Sequence, residues 1–463
     1  MDAILEDATI HQRRQTLYKM TNGFGLDDAY STTLDRIREQ RGNKLKLGME
    51  ALMWISCSER PLKADELCHA LAVEIGTTDL KICNVPSIRT LMSCTLGLVA
   101  IDRQSSIVRL VHFTLQEYLA AHPNLFITPH SMMAEICLTY LNFQSVCEFS
   151  TTLRTIPATT PLLHYAACYW GFHARKDVTE GVQRLALRLL QQDANHISAH
   201  ILLSEKTVNF LSYGDRYYGS QPDLQGYTGL HCIAYMGITE IAIAMVGMKV
   251  WDLNGRDSKG ATPLIWALKY GNPELAKILL EQGDVDPTLS DKEGRTPLAY
   301  AAKAGLQDVV ELLLQRKNVN PDSSGKWRMT PLSYAAESGH EGVVKVFLER
   351  GDVNPNYFDR IGMTPLLYAA GSGHVGVVKM LLERVDVNLN PMRKGGETAL
   401  SIAARSGHQG VVKILLERED LNPNLSNWGG RTPLSLAAES GYEDIVKILL
   451  RSEEHTSELQ SPC

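Results

Sequence analysis

No C-x-x-C pair occurs anywhere in the chain, and its nine cysteines (57, 68, 83, 94, 137, 147, 168, 232 and 463) stand scattered. A zinc site or a disulfide framework needs tight, paired spacing, so the pattern speaks against both. Most of these cysteines lie among apolar neighbours, as in Glu66-Leu67-Cys68-His69. They read as small core residues of a protein kept in a reducing, cytoplasmic compartment. No apolar run reaches the roughly 18 residues of a membrane helix. The N-terminal stretch, with Glu6, Asp7, Arg13 and Arg14, holds no signal-peptide apolar region.

An excess of positive charge is missing too. The net charge of −6 gives no reason to expect a nucleic-acid partner. The densest basic run, Arg36, Arg38, Arg41, Lys44 and Lys46, is interleaved with Asp35 and Glu39 and reads as a solvated helix face. Phosphate-binding loops need G-x-x-x-x-G-K-[ST], so that backbone N–H groups and a Lys can hold the anion. The only Gly-Lys pair is Gly325-Lys326, followed by Trp327, and the turns at 23–28 and 394–400 lack the required Lys. Neither G-x-S-x-G nor a Ser-His-Asp constellation stands out. The expectation is a protein that is no enzyme, needs no cofactor or metal, and has no small-molecule or membrane partner.

What is present is repetition. Thr228, Thr262, Thr296, Thr330, Thr364, Thr398 and Thr432 follow one another at intervals of 34 residues, in a chain of 463 that has room for two to four domains. Self-similarity at such a period marks a stacked solenoid. In Thr330-Pro331-Leu332-Ser333-Tyr334-Ala335-Ala336-Glu337-Ser338-Gly339-His340, Thr caps a helix and Pro suits its first turn. The two alanines admit close neighbours, and Gly339 takes positive φ and stops the helix. Val343, Val344, Val346, Phe347 and Leu348 form the stripe of a second helix, and Asn354-Pro355-Asn356 leads into an exposed hairpin. One such pair cannot bury its apolar face alone, but a stack can. Leu332, Leu366 and Leu400 are therefore expected in the core.

The period of 34 is the tetratricopeptide length, but the Thr-Pro-Leu…Ala-Ala…Gly-His pattern resembles ankyrin repeats. About seven copies over 216–450 are expected. The first departs most, with Gly229 for Pro and Ile233-Ala234 for Ala-Ala, and reads as a cap. The turn before Thr330 lacks the Gly that the others keep at 294, 362, 396 and 430, which predicts an altered turn. Ala399 and Leu389 replace Pro elsewhere and read as tolerable. The resemblance implies an unidentified protein partner, held by the concave face and hairpin tips. The candidate residues are Lys292, Glu293, Trp327, Arg328, Arg360, Arg393, Lys394 and Trp428 on tips, and Lys303, Glu337, Arg405 and Glu439 on first helices. Trp and Arg are the residues most enriched at binding hot spots. The plainer reading is that Trp327 and Trp428 pack across adjacent hairpins.

Residues 1 to about 215 carry no such period. "ALMWISCSERPLKADELCHALAVE" predicts two helices parted near Pro61, and 93–113 a β-hairpin turning at Asp102–Ser106. "TLQEYLAAHPNLF" predicts a helix ending before Pro123. Helices, a small hairpin and another helix outline a winged helix. "GLDDAYSTTLDRIREQ", "WISCSERPLKADELCHALAVEI" and "VRLVHFTLQEYL" resemble the winged-helix segment behind the NACHT domain of fungal NLR-like proteins. "TPLLHYAACYWGFHAR" resembles the helical connector of that family. The expected order is a helical remnant over 1–26, a winged-helix-like domain over 27–127, a connector over 128–215 and the repeats. The resemblance makes His112 a candidate for meeting a nucleotide β-phosphate, an imidazole donor at a helix start being suited to an anion. A His capping a buried hairpin is the plainer reading.

"RSEEHTSELQSPC" (451–463) fits neither the repeat nor a cap and resembles the translation of a sequencing adapter. It is expected to be an assembly artefact that leaves Ile445, Val446, Ile448 and Leu449 partly uncovered. Three functions follow. The first is a non-catalytic recognition and relay arm of an NLR-like signalling protein. The second is a nucleotide-dependent switch completed by a separate NACHT chain, with His112 as sensor. The third, DNA binding by the winged helix, is opposed by "HFTLQEYLAAH", which has Glu117 and no Lys or Arg.

Overall fold

In the computed structural model, residues 26–149, 156–191, 196–210, 224–418 and 420–459 are described; side chains are described only outside 204–210 and 453–459. The expected N-terminal remnant lies almost wholly outside them. The chain divides into two compact units, 1–224 and 225–463.

The first unit opens with α1 (Leu26–Arg38), α2 (Asn43–Cys57) and α3 (Ala64–Ala72). Tyr30, Leu34 and Ile37 recur at helical spacing and bury one face of α1. Pro61 lies between α2 and α3, and Glu66 anchors the restart. Its carboxylate accepts the Lys63 N–H at 2.8 Å and both Arg60 guanidinium nitrogens at 2.9 and 2.6 Å. After α4 (Ile88–Cys94), β1 (Val99–Ile101) and β2 (Val108–Leu110) pair antiparallel with Val99 opposite Leu110. The Asp102 carboxylate holds the turn by accepting the Ser105 N–H at 3.2 Å. Val108 N–H donates to Leu62 O at 2.9 Å, and Lys63 pairs with Ile107 in an isolated antiparallel bridge, so the segment before α3 lies along the two-stranded hairpin. Then α5 (Phe113–Ala121) closes a winged helix.

Among the described residues five further helices follow: α6 (Pro129–Leu141), α7 (Gln144–Cys147), α8 (Leu163–Lys176), α9 (Glu180–Leu190) and α10 (Ile197–Phe210). Trp54 meets Tyr165 edge-on at 5.9 Å, and both are buried. Beside them His173 is fully buried, its Nε2 2.9 Å from Tyr165 Oη and its Nδ1 3.0 Å from His130 Nδ1.

In the second unit each of the seven aligned Thr residues starts a short helix, and a second helix follows it. Leu332, Leu366 and Leu400 are buried, as stacking requires. Thr262, Thr296, Thr330, Thr364, Thr398 and Thr432 each accept the N–H three residues on, so the expected caps are present. Gly339 has φ 77° at the end of its helix.

Three kinds of side-chain bond, each recurring at the repeat period, tie neighbouring pairs together. His340, His374 and His408 bring Nε2 to 3.0, 3.0 and 2.9 Å of the Lys303, Glu337 and Gly371 carbonyls. Arg350, Arg384 and Arg418 donate to the Leu314, Leu348 and Leu382 carbonyls, orphan acceptors at helix ends. Asn254 and Asn356 donate Nδ2 to Asp284 O and Asp386 O, each at 2.6 Å.

In the last repeat the expected partial uncovering holds for two of the four residues and fails for the other two. Ile445 and Leu449 are fully buried, and only Val446 and Ile448 are half covered. Its second helix runs through Glu443–Leu459, so the backbone of the adapter-like stretch continues the helix rather than breaking it. Residues 460–463 lie outside the described residues.

Candidate interaction surface

The hairpin tips are built alike. Gly294, Gly362, Gly396 and Gly430 donate N–H to the residue three back, Asp291, Asp359, Arg393 and Asn427, at 2.8 to 3.2 Å. Arg328 makes the same bond to Gly325 at 2.9 Å, with φ 61° where its siblings have glycine. The altered turn expected ahead of Thr330 is therefore not found. The chain keeps the turn and forces an arginine into the left-handed region, which costs roughly 1–2 kcal/mol.

Backbone bonds also join tip to tip. Lys292 N–H donates to Lys259 O at 2.8 Å, Lys326 to Glu293 at 2.7 Å and Arg360 to Trp327 at 3.2 Å. Lys394 donates to Ile361 at 2.8 Å and Trp428 to Gly395 at 2.9 Å. Each tip is thus fixed against its neighbours rather than waving in solvent.

The tips sort charge by depth. Asp291 is buried, accepting the Glu293 and Arg295 N–H groups and the Tyr300 hydroxyl at 2.9, 2.9 and 2.8 Å. Burial pushes its carboxyl up, but these donors and the Arg295 guanidinium outweigh that and hold it below the usual range. Asp359 repeats the arrangement with Ile361, Met363 and Tyr368. Glu397, also buried, is clamped by Arg393 at 2.6 Å and Arg405 at 2.7 Å. The carboxylates face inward, while Lys292, Lys326, Arg360 and Lys394 stay exposed.

Most of the expected tip residues are therefore brought together. Trp327 and Trp428 are 61% and 81% exposed, and Trp428 at the same time lies against Gly396 of the preceding tip. Arg360 places its guanidinium 5.9 Å from the Trp327 ring centre, and Arg328 sits 5.3 Å from that of Phe358. Glu293 is half-buried and pairs with Lys326 at 3.2 Å. Arg393 and Arg405 are half-buried and committed to Glu397. Among the first-helix candidates, Lys303 is exposed over the Tyr334 ring at 5.7 Å and Glu337 is half-buried. Glu439 is exposed and pairs with Arg431 at 2.8 Å. The sequence reading missed Lys326, Phe358, Ile361 and Met392. Reading each tip as a column of period 34 would have found Lys326, directly in step with Lys292 and Arg360.

His112 belongs to the first unit, at the start of α5. Its Nδ1 accepts the Thr114 N–H at 3.3 Å and lies 2.8 Å from Thr114 Oγ1, so the exposed ring caps the start of α5 rather than a buried hairpin. Among the described residues no group of His, Cys, Asp and Glu could hold a metal ion, and no helix is long and apolar enough to cross a membrane.

Comparison with known families matches this geometry. The model of ankyrin repeats (three copies) matches residues 163–291, 230–324, 284–357, 317–391 and 385–460. The winged helix domain of GPI inositol-deacylase matches residues 36–126. No curated protein matches the chain. The first repeat match begins at Leu163, inside the stretch expected to be a connector, where Thr160-Pro161-Leu162 stands two periods of 34 residues before Thr228.

Proposed function

The chain belongs to the ankyrin-repeat family, and we propose that it is a non-catalytic protein-interaction module, the recognition and relay arm of a NACHT-type signalling protein. One observation carries the reading. The array exposes two tryptophans and four periodic cations on hairpin tips whose backbones are bonded to each other, a rigid surface rich in hot-spot residues. The winged helix matched before the repeats supports the NACHT-type part of the reading. The other reading, His112 as a nucleotide sensor, has the weaker support because Nδ1 is already engaged in capping.

A peptide-display selection against the full chain, repeated against Trp327→Ala with Arg360→Ala, tests the proposal. An enriched consensus on the parent chain that the variant fails to retain is expected. Absence of any enrichment, or equal enrichment on the variant, overturns it. Steady ATP hydrolysis by the purified chain would overturn the non-catalytic part.

A further inference from the structure

The cations Lys292, Lys326, Arg360 and Lys394 stand one per repeat at the same tip position, each donating its own N–H to the preceding tip. Their side chains face solvent. Among the described residues only Lys326 has a carboxylate partner, the solvated Glu293 at 3.2 Å, a pairing worth little in water. The other acids of these tips point inward to Arg295, Arg393, Arg405 and the tyrosines. The exposed Asp352, Asp386 and Asp420 are each held by the arginine two residues before. What remains on the outside is a row of like charge in which, among the described residues, only Lys326 has a carboxylate partner.

Distance sets what can lie along it. Helices of successive repeats pack roughly 8–10 Å apart, and an extended chain advances about 3.3 Å per residue. One repeat therefore corresponds to about three residues of an extended chain. Between the cations lie apolar surfaces. The Trp327 ring is exposed beneath Arg360, and Trp428 closes the row, packed so tightly on Gly396 that a Cβ there would meet Trp428 Cδ1 at 2.7 Å. The strained Arg328, at φ 61°, presents a further guanidinium at the same edge, and backbone strain of this kind gathers at functional positions.

We infer that this row seats an extended acidic polypeptide segment whose carboxylates recur about every third residue, with Trp327 and Trp428 covering apolar side chains between and beyond them. The inference rests on the protein-binding reading above and narrows it to one partner chemistry. A single-stranded nucleic acid fits less well. It gains most from a run of bare aromatic faces on which bases stack, whereas guanidinium groups lie over Trp327 and Phe358 and leave Trp428 as the one tip tryptophan without such a partner among the described residues.

The test is an anisotropy titration of the full chain with three labelled probes. One is a short peptide bearing Glu at every third position with Leu and Ser between. The second is its isomer with the glutamates contiguous, and the third a single-stranded oligonucleotide of similar length. The spaced peptide is expected to bind at least about tenfold more tightly than the isomer and to weaken at high salt. Arg360→Glu with Lys394→Glu, and separately Lys292→Glu, should each weaken it by about tenfold or more, while Lys345→Glu on a second helix leaves it unchanged. Equal binding of the two peptides, tighter binding of the oligonucleotide, or no binding of the spaced peptide overturns the assignment. A display consensus without acidic residues that still depends on Trp327 would sink this inference alone and leave the protein-binding reading standing.

Discussion

His340 stands over Gly305: its Nε2 reaches the Lys303 carbonyl at 3.0 Å, and a Cβ on Gly305 would meet its Nδ1 at 2.6 Å. The recurring Gly-His of this array is thus two halves of one joint, each half belonging to a different repeat. Gly271 has the same left-handed φ, 71° against 72°, but nothing lies within 4 Å of its missing Cβ, because Leu306 replaces the histidine in the next repeat. The pair separates conformational strain from close packing. Gly271→Ala should cost only the strain, about 1 kcal/mol, and Gly305→Ala that plus the clash, ~3 kcal/mol in all. Thermal unfolding measures both, at about 2–4 °C per kcal/mol for a unit of this size. Equal losses would contradict the joint.

Asp322 occupies the place that Asn254 and Asn356 hold in other repeats, where a side-chain N–H donates to the next repeat's carbonyl. A carboxylate has no such hydrogen to give, and Asp322 Oδ1 is buried without a partner. Asp322→Asn should stabilise the array by ~1 kcal/mol at neutral pH. Burial, with Asp352 adding to it against the Asn354 N–H, raises the carboxyl above its ordinary 3.8. Because the folded pKa is raised, the parent chain loses stability as pH rises through that range. The gain from Asn should therefore be small near pH 3.8 and full at neutrality, as melting across pH will read.

In the first unit burial lowers His173 to about 3, with His130 and Lys176 adding to it. Burial lowers His196 to about 4 against the opposing Leu141 carbonyl. Both folded values lie below the ordinary 6.5, so stability is complete above 6.5 and is lost as pH falls from there toward 4 and then 3. Between pH 6.5 and about 5.5 each should cost on the order of 1 kcal/mol. Urea unfolding at stepped pH checks this, and His173→Gln should flatten the slope.

Arg328→Gly should raise stability by about 1 kcal/mol by relieving the left-handed arginine and should at the same time weaken ligand binding. A stabilised variant that binds as before would show that the strain serves nothing.

The array was legible in the sequence because its forces are local and recur. Thr caps, Pro opens the helix, Gly ends it, and each repetition restates the rule. Arg328 deceived that reading, since its neighbours bind the turn on both sides and can hold an unfavourable φ that propensity alone rejects. Tip chemistry was half legible. Trp327 and Trp428 stood out by type, but the burial of Glu397, which removes Arg393 and Arg405 from the free surface, depends on residues four and eight apart meeting in space. The likeness of "TPLLHYAA" at 160–167 to the repeats is hidden from the period, because the step of 34 passes through Ala194 rather than a Thr.

Hydrogen exchange of the full chain, with and without a peptide recovered by display, tests the central claim most directly. Slowed exchange at the tip amides of 326–328, 360–361, 394–396 and 428, with the winged helix unchanged, is the outcome this account requires. Slowing centred on His112 and α5, or spread evenly over both units, would contradict it.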